Sequence, residues 1–325
     1  MCLKSGEPDF RLFCFSDKKI RSGKGVAGVN GAEVLPGRGK GRRISAKPYL
    51  FLLPMLIFAG LFVYYPFFKT FLYSFSTVNA KGEIVGTVGL ENFRYLFSRR
   101  EFASALKNTL KLTALNVPIT VALTLLMALL CVRKRRISPI VETMFALPMA
   151  IAMPAIALIY KVLLNPTVGY VNRVLGLNIG WYRDKETALY GILLLTVWMG
   201  IGFNFLLFLS ALRGVPEDVV GSARLDGASD AGVFFRIQLP LISPTILYVV
   251  CTNMVQAMMT SGPILILTQG GPSRSTTTLI YMMYSSGYGS SNYSLAACVS
   301  LVTFALTFAG TLVAFLAERK KVHYQ

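Results

Sequence analysis

Positions 49–68 read YLFLLPMLIFAGLFVYYPFF, twenty residues without a single charge. A helix rises about 1.5 Å per residue and the hydrocarbon core of a bilayer is about 30 Å thick, so about 20 apolar residues make one crossing. Five further segments meet that requirement: 112–132, 138–160, 187–212, the stretch after Pro240 as far as 267, and 295–317. Only 138–160 holds an acid, Glu142, and it sits near one end. Pro118, Pro148 and Pro154 are compatible with spans, because neighbouring helices can satisfy the carbonyls that proline frees. The expectation is an all-α membrane protein of six transmembrane helices. A soluble globule is excluded by the charged fraction, 15%, against about a quarter in soluble domains.

The net charge of +18 does not mark a nucleic-acid binder, which needs its basic residues on a water-soluble body. Lys and Arg instead collect in short cytoplasmic loops of membrane proteins. Residues 1–48 hold eleven basic and four acidic residues, RKRR occupies 133–136, and ERKK occupies 318–321. Six alternating spans put all three on one side, so both termini are expected in the cytoplasm, and the 213–240 loop with them. The opposite loops, 69–111, 161–186 and 268–294, carry their basic residues more thinly and partly balanced by acids. Residues 1–48, without a sustained apolar period, read as a basic cytoplasmic tail, and 49–325 as the membrane domain. No small-residue cleavage site follows the first apolar run, so that run is expected to stay as an anchor. Residues 275–294, rich in Ser, Thr, Tyr and Gly, read as a re-entrant or interfacial segment with tyrosines at headgroup level. A seventh span there would move ERKK to the wrong side.

No GxxxxGK[ST] occurs, so the chain has no P-loop to cradle nucleotide phosphates. Cys2, Cys14, Cys131, Cys251 and Cys298 form no CxxC pair, and the one histidine is His323; neither a metal site nor a histidine triad is expected. No span holds a central ionisable group of the kind a proton-coupled carrier needs. Carriers that bind Na⁺ through carbonyls and hydroxyls need no such group, so this absence demotes a secondary carrier without excluding it. The polar residues within spans are neutral: Asn116, Asn204, Asn253, Gln256, Thr260 and Ser261. They serve either as interhelical hydrogen-bonding glue or as the lining for a polar solute. Asn253, Gln256 and Thr260 share one helix face by their three- and four-residue spacing, which makes that face the candidate translocation path.

Between spans four and five lies VPEDVVGSARLDGASDAGVFFRIQLPLISP, residues 215–244. Pro216 at a first helical position and Glu217 and Asp218 in the first turn suit the positive end of a helix. Gly227 supplies a left-handed stop, Ser229 caps a second short helix through Phe234, Phe235 and Leu239, and Pro240 opens the fifth span. Two short helices joined by a glycine turn far exceed what a simple connection requires. Small residues at Gly221, Ser222 and Ala223 would let another surface approach closely, which points to a docked cytoplasmic partner; a helix lying in the headgroups on Phe234 and Phe235 is the alternative.

This passage resembles the cytoplasmic signature loop of permease subunits from binding-protein-dependent ABC importers. That family's pattern is Glu-Ala-Ala, three residues, Gly, then about nine residues to Ile-x-Leu-Pro, and Gly221-Ser222-Ala223, Gly227 and Ile237-Gln238-Leu239-Pro240 stand in those places. Gly221 replaces the usual acid. VGLENFRYLF at 88–97, NTL at 108–110, LNPTVGYVN at 164–172, NFLLFLSAL at 204–212 and TQGGPSRSTTTLIYMMY at 268–284 are similar to the carbohydrate and glycerol-3-phosphate branch. The resemblance implies a type I importer permease in a bacterial-type cytoplasmic membrane, paired with a second homologous permease, two ATPase subunits that bind ATP-Mg, and an extracytoplasmic solute-binding protein. It implies no cofactor on this chain. Gly221, Ser222, Ala223, Asp226, Gly227, Ile237, Leu239 and Pro240 would belong to the ATPase-coupling loop. Two readings from other classes compete: an ion-gradient-driven secondary carrier and a membrane scaffold.

Overall fold

The computed structural model describes residues 47–132 and 138–319. The first 46 residues, the RKRR run and the end of ERKK lie outside the described residues. Pro54–Gln325 is one compact unit, and the residues before it group separately.

The first apolar run becomes α1 (Lys47–Ala59), a π-helical turn (Gly60–Tyr64) and α2 (Tyr65–Ser74). The next run belongs to the much longer α4 (Arg100–Cys131), after a β1–β2 hairpin (Ser76–Val78 and Ile84–Thr87) and α3 (Glu91–Ser98). Residues 138–163 form α5 (Ser138–Ala150) and α6 (Met153–Leu163), followed by the short α7 (Tyr170–Leu175) and α8 (Ala188–Arg213). The charged passage holds α9 (Glu217–Leu225), α10 (Asp230–Val233), a π-helical turn (Phe234–Gln238) and α11 (Leu239–Leu241). Then come α12 (Ser243–Met258), α13 (Gly262–Leu267), α14 (Leu279–Tyr284) with a third π turn (Ser285–Gly289), and α15 (Tyr293–Arg319).

Among the described residues five spans are long and apolar enough to cross a bilayer: Leu50–Ser74, Arg100–Cys131, Ala188–Arg213, Ser243–Leu267 and Tyr293–Leu316. The expected third span departs from a straight crossing, since α5 and α6 meet at 101°. Pro154 explains the break. It lies four residues after Ala150, where its missing amide hydrogen leaves the Ala150 carbonyl without its helical donor and its ring crowds that carbonyl. Ala152 is extended, φ −62° and ψ 136°, and the helix restarts with Pro154 in its first turn. Pro66 and Pro240 have a milder effect: a π turn ends two residues before each, which widens the helix ahead of the ring.

The all-α expectation needs one correction. The 69–111 region contains an antiparallel hairpin, in register at Ser76 with Thr87 and bulged between Thr77 and Val78. Three residues cannot hold a strand alone, and Ser294 secures it: its hydroxyl donates to the Ser76 carbonyl at 2.8 Å and accepts from the Val78 amide at 2.9 Å. Residues 279–289 are too short to cross a membrane. Leu279 and Met282 are buried there while Tyr288 is 83% exposed, the pattern of a segment lying against the bundle.

The core is built around α8, whose Phe205, Phe208, Leu209 and Leu212 pack with Ala128 and Cys131 of α4 and Val249 of α12. In contrast, Met55, Leu56, Phe58 and Phe62 of the first span are all exposed, as lipid-facing residues would be in a bilayer.

Candidate functional site

Two regions carry the sequence-based expectations, and α8 and α12 connect them. The first is the loop from 214 to 242. Its first helix begins one residue later than expected: Pro216 is the N-cap, extended at ψ 128°, and Glu217 and Asp218 open α9. Its end is a Schellman motif, in which the Ala228 amide donates to the Ala223 carbonyl at 3.0 Å and the Gly227 amide to the Arg224 carbonyl at 3.1 Å. Gly227 has φ +85°, the left-handed conformation that the glycine was expected to supply. Ser229 caps α10, its hydroxyl accepting from the Gly232 amide at 3.2 Å. Arg224 and Asp230, on the two sides of the turn, pair at 3.0 Å.

Gly221, Ser222, Asp226 and Gly227 are exposed, and Ala223, Ile237, Leu239 and Pro240 are half-buried. Nothing lies within 4 Å of a Cβ built on Gly221 or Gly227. Leu225 is 91% exposed, a large apolar side chain held away from the bundle. Only Val233 of α10 is buried, which leaves α9 as the projecting element.

At the base of this loop Arg213 makes a clamp that sequence reasoning half anticipated. Glu142 stands out in the sequence as the lone acid of its span, and its position at a helix end suits a structural role. Arg213 pairs with it: Nη1 and Nη2 donate to the Glu142 carboxylate at 3.2 and 2.5 Å, while Nη2 also reaches the Cys131 carbonyl at 3.3 Å. The ends of α4, α5 and α8 are thus joined where the loop begins. A lone arginine closing an apolar helix was the available signal.

The second region is a cavity of about 210 Å³ lined by Asn116, Thr196, Gly200, Asn253, Gln256 and Thr260 among others. All three residues of the candidate path therefore meet in one space, but they are not equivalent there. Gln256 is exposed and makes no side-chain hydrogen bond among the described residues. Thr260 donates to the Gln256 carbonyl at 2.9 Å. Asn253 is 3% exposed and exchanges amide hydrogen bonds with Asn204 at 2.9 and 3.0 Å. On the opposite wall Asn116 donates to Thr196 at 2.9 Å.

Between α12 and α13 the helix lapses at residues 259–261. Pro263 lacks the amide hydrogen that would bond the Met259 carbonyl, and Thr260 sits in this gap. Irregular backbone inside a membrane segment is tolerated where it lines a cavity. At the far end of the bundle, residues 269–274 make a tight turn with φ positive at Gln269, Gly270, Ser273 and Arg274. Asn108 fixes that turn, donating to the Arg274 and Thr277 carbonyls at 3.1 and 3.0 Å, and Arg274 pairs with Glu101 at 2.5 Å. Among the described residues no cluster of His, Cys, Asp or Glu could hold a metal ion.

Residues 120–322 match the family described as the binding-protein-dependent transport system inner membrane component. The chain is 33% identical over 287 residues to the sn-glycerol-3-phosphate transport system permease protein UgpA of Pectobacterium atrosepticum, covering 87% of this chain and 97% of that one. Among solved structures, a bacterial ABC transporter involved in the import of the acidic polysaccharide alginate superposes with a TM-score of 0.73 at 24% identity, over 84% of this chain and 95% of that one. The same kind of transporter in complex with an alginate pentasaccharide-bound periplasmic protein superposes at 0.72, with 24% identity, over 86% and 96%. The chain belongs to the inner membrane components of binding-protein-dependent transport systems, and it is a multi-pass membrane protein of the ABC permease fold.

Proposed function

We propose that this chain is the translocating permease subunit of an ATP-driven importer for a sugar or a glycerol-3-phosphate-like solute. The observation that carries the reading is the 214–242 loop, where a rigid Schellman turn presents exposed Leu225 and small residues on a helix that packs against little of its own chain. Such a surface fits a partner's groove. On this reading Gly221, Ser222, Ala223, Asp226, Gly227, Ile237, Leu239 and Pro240 make the coupling contact with an ATPase that binds ATP-Mg, and the chain itself binds no cofactor.

A second homologous permease, two ATPase copies and an extracytoplasmic binding protein complete the assembly. The periplasmic partner of the alginate transporter and the glycerol-3-phosphate system of the relative support the partner and solute classes. Gln256, Thr260 and Asn116 line the path on this reading. The type I arrangement has six spans, with α5 and α6 together making the third, residues 1–48 as a cytoplasmic tail and 49–325 as the permease domain.

The assembled transporter in proteoliposomes is expected to take up solute only with ATP, the ATPase and the loaded binding protein. Uptake driven by an imposed ion gradient without the ATPase would replace this reading with a secondary carrier. Topology is tested separately by single cysteines in a cysteine-free background. Glu83→Cys, Arg183→Cys and Ser290→Cys are expected to react with an impermeant reagent from outside, and Asp226→Cys only from inside. Labelling of Arg183→Cys from inside would make the α5–α6 pair a re-entrant element and refute the six-span arrangement.

A further inference from the structure

The Asn204–Asn253 pair lies inside the two helices that flank the coupling loop. Asn204 is nine residues before Arg213 and Asn253 ten after Ser243, which places both about 14–15 Å from the loop-side ends of α8 and α12 at about 1.5 Å per residue. The hydrogen bonding of the two amides is nearly exhausted. Each NH₂ gives one hydrogen to the other amide, at 2.9 and 3.0 Å. The second hydrogen goes to a carbonyl one turn back on its own helix, Gly200 at 2.8 Å for Asn204 and Val249 at 2.7 Å for Asn253. No donor is left for a solute, and each residue is 3% exposed.

The surrounding packing is equally tight. A Cβ on Gly200 would sit 3.0 Å from Thr120 Cγ2, 3.5 Å from Asn204 Nδ2 and 3.6 Å from Asn253 Oδ1, so α4, α8 and α12 meet here with little spare room. Gly200 and Asn253 also border the cavity that Gln256 and Thr260 line. A displacement of the loop enters the membrane through both α8 and α12. If they slid independently, the motion would be lost before it reached the cavity wall.

We infer that Asn204 and Asn253 are positioning residues that lock α8 and α12 into one lever, so that movement of the coupling loop reaches the Gln256 and Thr260 wall of the cavity. Asn253 thereby leaves the set of solute contacts and joins the transmission. The inference rests on the importer reading, and its test separates the two.

The decisive variant is Asn204→Leu/Asn253→Leu. Replacing both partners by apolar groups of similar shape leaves no stranded amide and is close to neutral for stability, whereas either single change strands a buried polar group. In the reconstituted transporter the double variant is expected to keep its abundance and its half-saturation for loaded binding protein. Solute moved per ATP hydrolysed is expected to fall roughly five- to tenfold, the scale of two interhelical amide bonds in a membrane. A double variant with the unmodified transport-to-ATP ratio would overturn the lever. So would a raised half-saturation in Asn253→Leu that Asn204→Leu does not share, because that would make Asn253 a solute contact. If the unmodified transporter showed no ATP-dependent uptake, the importer reading would fall and the lever with it.

Discussion

Replacing Gly227 by valine is expected to cut ATP-driven uptake by about tenfold or more while the variant reaches the membrane in normal amount. The residue has φ +85°, and an L side chain pays roughly 1–2 kcal/mol in that region, more when β-branched. Space is not the obstacle, because nothing lies within 4 Å of a Cβ placed there. The penalty is conformational: the Ala228-to-Ala223 and Gly227-to-Arg224 bonds require the left-handed turn, and without it α9 loses its fixed angle to α10. The turn is exposed and Gly227 is outside the core cluster around Phe205 and Phe208, so folding should survive. ATP hydrolysis by the assembled complex should persist while uptake falls. Asparagine tolerates left-handed backbone better, so Gly227→Asn should keep most of the activity. Equal loss in both variants would point to a contact made by the glycine itself, and normal uptake by Gly227→Val would remove the coupling role of this turn.

What the sequence made legible follows the range of the interaction concerned. The Gly227 turn and the Ser229 cap depend on residues within six positions, and both stand where turn and capping chemistry put them. Helical spacing likewise placed Asn253, Gln256 and Thr260 on one face, and the cavity gathers them. It could not say which of the three would face another helix, because that depends on Asn204, 49 positions away. Pro148, Pro154 and Pro118 look alike in the sequence. Pro118 lies inside the continuous α4 and Pro148 inside α5, whereas the chain bends by 101° just before Pro154. The β1–β2 hairpin depends on Ser294, more than two hundred residues further on. No local pattern announces such a support.

The Arg213–Glu142 clamp leads to an asymmetric expectation. Both side chains are partly screened, 27% and 22% exposed, so the full cost of stranding a buried charge, about 3–5 kcal/mol, must be discounted. The two deletions also differ in what they leave behind. Glu142→Leu strands a guanidinium that cannot release its proton, whose Nε is already buried without a partner and which keeps only the Cys131 carbonyl. Arg213→Leu leaves a carboxylate that keeps a further interaction beyond the lost guanidinium. Glu142→Leu should therefore destabilise by about 2–3 kcal/mol and Arg213→Leu by about 1–2 kcal/mol. The double variant should regain part of the loss, since two leucines can pack where the ions met. Thermal unfolding of the purified complex at fixed lipid and detergent measures all three, and equal single-variant losses that simply add would show that the pair is not a coupled clamp. The clamp joins α4, α5 and α8 directly ahead of the loop, so the order of these stabilities should reappear in transport per ATP. A loop moved by its ATPase can reorient the helices only if the ends it pulls on are held together.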